Sequence, residues 1–180
     1  MNLFLSQITL PLPYSIALSG NMLVGPPGSG KSVFAAYNFK DFDKYKYIST
    51  DDIREEAFGD VNHTGDFRKI QRIAADAAIT ALENETKVIY DATNFNADQR
   101  THFLDMVSSH IPTNWVIWVL RTPLKKCQEW NSARDRVVPF EVIEYMYHYL
   151  SENPVEISEH PNLSVIVNIF PGGHFTIHTS

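Results

Sequence analysis

Residues 25–32 read Gly25-Pro26-Pro27-Gly28-Ser29-Gly30-Lys31-Ser32, and no other stretch limits the fold so strongly. The spacing fits G-x-x-x-x-G-K-[ST], a loop that holds nucleotide phosphates. Gly25, Gly28 and Gly30 let the backbone turn tightly and bring several N–H groups round a polyphosphate. Lys31 sets a positive charge on the β- and γ-phosphates, and the Ser32 hydroxyl suits Mg²⁺. A helix starting here adds the positive end of its dipole. The pattern carries meaning only between a strand and a helix. Met22-Leu23-Val24 reads as a short buried strand, and Val33 to Tyr37 opens an amphipathic helix. All eight loop residues are therefore expected to bind nucleotide.

The rest of the chain agrees with an α/β protein. Strands are expected at Lys44–Ser49, Lys87–Asp91, Trp115–Leu120 and Leu163–Val167, separated by helical patterns over about 66–84, 97–109, 124–130 and 140–150. Trp115-Val-Ile-Trp-Val-Leu120 is continuously apolar, as a strand buried on both faces is. Ile70, Ile73, Ala74, Ala77, Ala78, Ala81 and Leu82 fall on one helical face. This order describes a three-layer α/β fold with a mainly parallel sheet, flanked by helices and carrying a helical lid. At 180 residues the chain is expected to be a single domain. Residues 1–19 read as an N-terminal extension, 131–139 as the lid segment, and 162–180 as a final strand or hairpin. Gly20 is read as either a bulge or part of a hairpin feeding the central strand.

Composition narrows the function. A net charge of −6 argues against coating duplex nucleic acid but leaves room for a cleft that grips one strand end. The single cysteine, Cys127, allows no intrachain disulfide and reads as a core residue. Residues 1–30 lack Asp, Glu, Lys and Arg, yet Pro11, Pro13, Ser15, Ser19 and Asn21 break any signal-like run. No membrane segment is expected, and the expected location is cytoplasmic.

Two carboxylates stand at strand ends, where an open parallel sheet meets its ligand. Asp51 follows the second strand, and Asp91 ends the third. Asp51 also suits a helix N-cap, a job for which Asp52 competes. Arg68, Lys69 and Arg72 read as a solvated face or as a track for substrate phosphates. His63, His174 and His178 read as solvent-facing, and Met146 with its neighbouring tyrosines as packing.

Several separated stretches, in order, resemble the polynucleotide 5′-kinase family, itself related to zeta-toxin-like and other small P-loop kinases. They are the loop at 25–32, Ser49-Thr-Asp-Asp-Ile-Arg54, Asp91-Ala-Thr-Asn94, and Cys127-Gln-Glu-Trp-Asn131 with Arg134, Arg136 and Val138-Pro139. The resemblance spans roughly residues 20–150. It implies ATP and Mg²⁺ as cofactors and the 5′-hydroxyl end of DNA or RNA as acceptor. Asp51 matches the general base, and Arg54 the arginine on the phosphate beside the attacking hydroxyl. Lys31 and Ser32 match the phosphate and Mg²⁺ ligands, with Asp91 on the metal side. Arg134 matches the lid arginine over the ATP phosphates, with Arg136 in similar work. Thr93 and Asn94 fall where the family lines the acceptor side. Trp130 stands where a second lid arginine is frequent, so Arg136 substitutes for it, the nucleotide grip is weaker, or Trp130 stacks on a base. A kinase of a nucleoside, sugar or metabolite shares much of this pattern and stays open as an alternative, as does an NTP-binding switch.

Overall fold

The computed structural model describes residues 18–39, 44–60 and 66–179. The readings made for the first 17 residues and for His63 lie outside these. Six strands form one sheet: β1 (Gly20–Val24), β2 (Tyr45–Ser49), β3 (Lys87–Asp91), β4 (Trp115–Leu120), β5 (Leu163–Ile169) and β6 (Phe175–Thr179). Their order is β2-β3-β1-β4-β5-β6; all neighbours are parallel except β5 and β6. Among the described residues six α-helices connect them: α1 (Lys31–Asn38), α2 (Thr50–Phe58), α3 (Phe67–Glu83), α4 (Ala97–Ser108), α5 (Leu124–Ser132) and α6 (Phe140–Glu152).

Side-chain alternation along the buried strands builds two cores, one on each face. Met22 and Val24 of β1, with Trp115, Ile117 and Val119 of β4, face the first core. There they meet the α3 stripe of Ile70, Ala74, Ala78 and Ala81, and Phe103 and Leu104 of α4. Leu23, Val116, Trp118 and Leu120 face the second core, with Phe34 and Ala35 of α1. Covering both faces makes the three layers. Each large apolar side chain so buried contributes about 1.5–3 kcal/mol.

Glycine is required at position 20 by packing. A Cβ there would stand 2.3 Å from the Trp115 ring. Gly20 begins β1, which pairs without a break from Gly20↔Val88 to Leu23↔Asp91. Of the two readings for this position, the bulge is therefore absent among the described residues. The segment 131–139 takes in the last residues of α5, which runs to Ser132, and the connecting loop 133–139. At the other end, Gly172 and Gly173 turn the chain with φ of 82° and 81°, and β6 returns antiparallel along β5 with His174 and His178 exposed. No described helix is long and apolar enough to cross a membrane.

One charged group lies deep in the fold. Arg100 of α4 is 1% exposed and makes a two-pronged ion pair with Glu159, Nε to Oε2 at 2.8 Å and Nη2 to Oε1 at 2.6 Å. Its Nη1 donates to the Asn94 carbonyl at 2.8 Å. Removing one partner strands a buried charge, which costs about 3–5 kcal/mol. Arg100→Ala is therefore expected to lower the unfolding free energy by about 3–5 kcal/mol in denaturant titration. A loss below about 1 kcal/mol, the range of an exposed pair, would show that this pair does not hold α4 to the segment before β5.

Candidate active site

The ends of the central strands fix the site. Leu23 pairs with Asp91 and Asp91 with Ser49, so β1, β3 and β2 finish side by side. The glycine loop leaves β1 there, and its Gly25 amide donates to the Thr93 carbonyl at 3.0 Å. Gly28 and Gly30 adopt left-handed φ of 75° and 89°. A Cβ on Gly28 would lie 2.1 Å from the Cys127 carbonyl, so the loop is pressed against α5 as well as turned. Thr122 Oγ1 donates to the Ser29 carbonyl at 2.8 Å, while the buried Ser29 hydroxyl has no partner among the described residues. Lys31 folds back over the loop and donates to the carbonyls of Gly25 at 2.9 Å and Pro26 at 3.2 Å. Burial pulls its ammonium below the usual lysine range, with the Asp91 carboxylate opposing. A tight, amide-lined turn with a lysine across its mouth fits a polyphosphate.

Beside the loop, the Ser32 hydroxyl donates to Asp91 Oδ2 at 2.7 Å. The Tyr47 hydroxyl also bonds to that oxygen. Burial, and then the Asp91 charge, hold the Tyr47 phenol above its ordinary range, so it stays a donor. No group of three or more His, Cys, Asp or Glu side chains gathers for a metal among the described residues. Ser32 and Asp91 are hard oxygen donors, a set that fits Mg²⁺ completing its shell with water and substrate phosphates.

Asp51 is the electrostatic focus. It sits in the first turn of α2, and its Oδ1 accepts from Arg54 Nη1 and Arg136 Nη1, both at 2.8 Å. Arg134 Nη2 stands 3.7 Å from Oδ2. The α2 cap expected of Asp51 or Asp52 is made instead by Ser49, whose Oγ accepts from both their amides at 3.2 and 3.3 Å. The carboxylate of Asp51 is thereby left to the guanidiniums. Burial lowers the pKa of Arg54 while Asp51 raises it, and the group remains charged. Burial, followed by the Asp51 charge, raises that of Asp52.

Arg134 and Arg136 reach Asp51 from the 133–139 loop, which is closed by a residue whose role sequence reasoning missed. Asn131 is fully buried; its Nδ2 donates to the Val138 carbonyl at 2.8 Å, and its Oδ1 accepts from the Val138 amide at 3.0 Å. Trp130 packs on the second core, where α5 meets the sheet. Asn94 is turned inward as well. Its side chain is 0% exposed and Nδ2 donates to the Leu23 carbonyl at 2.8 Å, with a left-handed φ of 46°. This contact ties the β1 and β3 ends, and Arg100 donates to the Asn94 carbonyl. Thr93 is half-buried beside it. Arg68, Lys69 and Arg72 are exposed at the start of α3, with Lys69 5.2 Å over the Phe58 ring.

Cys127 is fully buried under the loop, as expected of a core residue, and burial pushes its thiol up to about 11. The protonated thiol is the folded form's preference, so stability is retained below the ordinary thiol range and falls as pH rises from about 9 toward 11. Because Cys127 is the single cysteine, one thiol titration reads it. Native protein at pH 8 is expected to react with a thiol reagent at least about tenfold more slowly than unfolded protein. Equal rates would contradict the packing of Cys127 beneath Gly28.

Residues 21–152 match the family described as AAA domain. An L-seryl-tRNA(Sec) kinase of Methanococcus maripaludis is 31% identical over 130 residues, which are 70% of this chain and 50% of that protein. Among solved structures, a chain of the Pnkp1/Rnl/Hen1 RNA repair complex superposes with a TM-score of 0.64 at 26% identity, covering 76% of this chain and 46% of that one. A gluconokinase from Sinorhizobium meliloti shares the fold, with a TM-score of 0.53 at 14% identity over 83% of this chain and 81% of its own. The chain thus spans about half the length of the curated relative and of the repair-complex chain. With its glycine loop and mainly parallel sheet, the chain belongs to the AAA-domain family and has the fold of P-loop proteins, similar to that of the repair-complex chain.

Proposed function

We propose that this protein is an ATP-dependent kinase that transfers the γ-phosphoryl group to the 5′-hydroxyl of a polynucleotide. The observation that carries this reading is the convergence of Arg54, Arg134 and Arg136 on Asp51, at the strand edge that also carries the glycine loop. Phosphoryl transfer asks for a base at an in-line hydroxyl and for positive charge on the oxygens of the moving group. A single carboxylate ringed by guanidiniums supplies both once the ring opens.

In this reading Asp51 accepts the proton of the attacking hydroxyl. Arg54, on the same helix, keeps its place and binds the phosphate next to that hydroxyl. Arg134, and Arg136 with it, exchange the Asp51 carboxylate for the phosphates of the donor. Lys31 and the amides of residues 25–32 bind the β- and γ-phosphates, and Thr93 lines the acceptor side. Ser32 would hold Mg²⁺, with Asp91 doing so directly or through water, and Tyr47 steadies Asp91. Bound ATP would supply the transferable group, and Mg²⁺ when bound would supply positive charge beside it. The bond from the acceptor oxygen to the γ-phosphorus forms as the bond to the β–γ bridging oxygen breaks, and ADP leaves. We read residues 1–180 as one kinase unit acting in the cytoplasm.

A second reading draws on the likeness to a kinase of L-seryl-tRNA(Sec). It places the acceptor alcohol on a group attached to RNA, so Arg54 still faces a polyanion. A small metabolite acceptor has the weaker claim, since three arginines exceed what one small anion needs.

The test is transfer of label from γ-labelled ATP with Mg²⁺ to a 5′-hydroxyl oligonucleotide, alongside a 5′-phosphorylated copy, seryl-tRNA and gluconate. Label on the 5′-hydroxyl strand alone, lost in Lys31→Ala, is the expected result. Label on seryl-tRNA or gluconate alone would move the acceptor to the second or third reading. Arg134→Ala is expected to slow single-turnover transfer at saturating ATP by roughly 10²–10³-fold, as loss of one preorganised charge donor does. An unchanged rate would remove Arg134 from the transferring group.

A further inference from the structure

The guanidiniums of the site and of α4 each face a carboxylate: Arg54, Arg134 and Arg136 at Asp51, and Arg100 at Glu159. Arg121 is held differently. It follows directly on β4, and its amide donates to the Ile169 carbonyl of β5 at 2.8 Å. The side chain is half-buried, and its Nε donates to Asn168 Oδ1 at 2.8 Å. Asn168 is itself buried, so this bond sets the direction of the guanidinium. An amide orients the group without neutralising it. Burial lowers the pKa of Arg121, opposed by the Tyr147 phenol and by no carboxylate among the described residues. The group stays charged all the same. Its two Nη groups have no acceptor among the described residues.

Arg121 lines a cavity of about 60 Å³. The other walls include Pro26 of the glycine loop, Thr122 after β4, and Tyr147, Leu150 and Ser151 of α6. The tyrosines of α6 divide here: Tyr145 is 60% exposed, whereas Tyr147 is half-buried against the cavity. Pro26 apart, no residue given a part in the transfer lines this space. Lys31 donates to the Pro26 carbonyl at 3.2 Å, so the cavity shares a wall with the glycine loop without sharing its lysine. One water takes about 10–15 Å³, so the cavity has room for about five waters or for one tetrahedral oxyanion.

A charge taken partly out of water and left unpaired is unfavourable until an opposite charge meets it. A guanidinium fixed through Nε presents its remaining donors as a fork, the geometry that two oxygens of one phosphate accept. We infer that the cavity walled by Arg121, Tyr147 and Pro26 is a binding site for a phosphate-sized oxyanion, separate from the phosphate positions of the glycine loop. The inference does not rest on the proposed transfer.

The Nε–H of Arg121 supplies a signal of its own in proton–nitrogen correlation spectra, assigned by its loss in Arg121→Gln or Arg121→Lys. Inorganic phosphate is titrated at constant ionic strength into wild type and into Lys31→Ala, whose glycine loop lacks its lysine. Glycerol phosphate, titrated in parallel, separates a free oxyanion from a phosphate carried on a larger molecule. The expected result is a saturable shift of the Arg121 signal with inorganic phosphate in both proteins. Calorimetry on Lys31→Ala is expected to show phosphate binding weakened about 10–100-fold when Arg121→Gln is added, the loss of charge-assisted hydrogen bonds. Thermal unfolding checks that Arg121→Gln folds, and the titrations themselves leave Arg121 in place. A shift with glycerol phosphate as well would assign the site to phosphate groups on larger molecules. A signal that stays still, or that drifts without saturating, would overturn the site. So would a shift seen in wild type and lost in Lys31→Ala, because the anion would then lie in the glycine loop.

Discussion

The register of three parallel strands is the constraint on which the rest depends. Because Leu23, Asp91 and Ser49 lie across from one another in β1, β3 and β2, three strands deliver their next residues to one line. β1 delivers the glycine loop, β3 the Asp91 carboxylate and the Thr93–Asn94 turn, and β2 the capped start of α2 with Asp51. A slip of one residue would turn each buried side chain to the opposite core. The two separate cores therefore hold the register, and the register holds the site. The Asn94 amide on the Leu23 carbonyl and the Gly25 amide on the Thr93 carbonyl sew the same edge together beyond the last strand residues.

Charge is arranged against the average. The chain carries −6 overall, yet three guanidiniums meet at one carboxylate. Guanidiniums at such spacing repel one another, and Asp51 offsets that repulsion by accepting from them. The arrangement sets a ready balance. In the proposed function, arriving phosphates would compete with Asp51 for Arg134 and Arg136, which are carried on a loop and are a quarter to two-fifths exposed. Arg54 is the more buried of the three and is anchored to its own helix through the Thr50 carbonyl. The two arginines on the loop are thus the looser side of the ring, and Arg54 the firmer.

Much of this was legible along the chain because it is local. The loop at 25–32, the capped start of α2 and the strand ending at Asp91 each lie within a few residues. Their chemistry follows from spacing. What escaped was set by contacts between distant positions. Arg100 meets Glu159 across 59 residues, Tyr47 meets Asp91 across 44, and Asn94 meets Leu23 across 71. Periodicity carries no information about such pairs. The Asn94 amide nitrogen satisfies a backbone carbonyl of another strand, an obligation that no local pattern announces. Ser49 caps α2 in place of Asp51 and Asp52 because the helix starts at Thr50, two residues before the start an Asp51 cap would set. Helical spacing marked the α6 tyrosines as inward, but it does not tell a covered face from an edge, and Tyr145 lies at the edge.

The account turns on Asp51 acting at the acceptor and not at the metal. The direct measurement separates its effect on ATP binding from its effect on transfer, using Asp51→Ala with equilibrium binding of MgATP and single-turnover transfer to a 5′-hydroxyl strand. The account predicts ATP affinity within about twofold of wild type and transfer slower by about 10²–10⁴-fold, the range of a lost general base. An equal fall in ATP affinity and in rate would place Asp51 on the metal and donor side, and would contradict the division of the site drawn here.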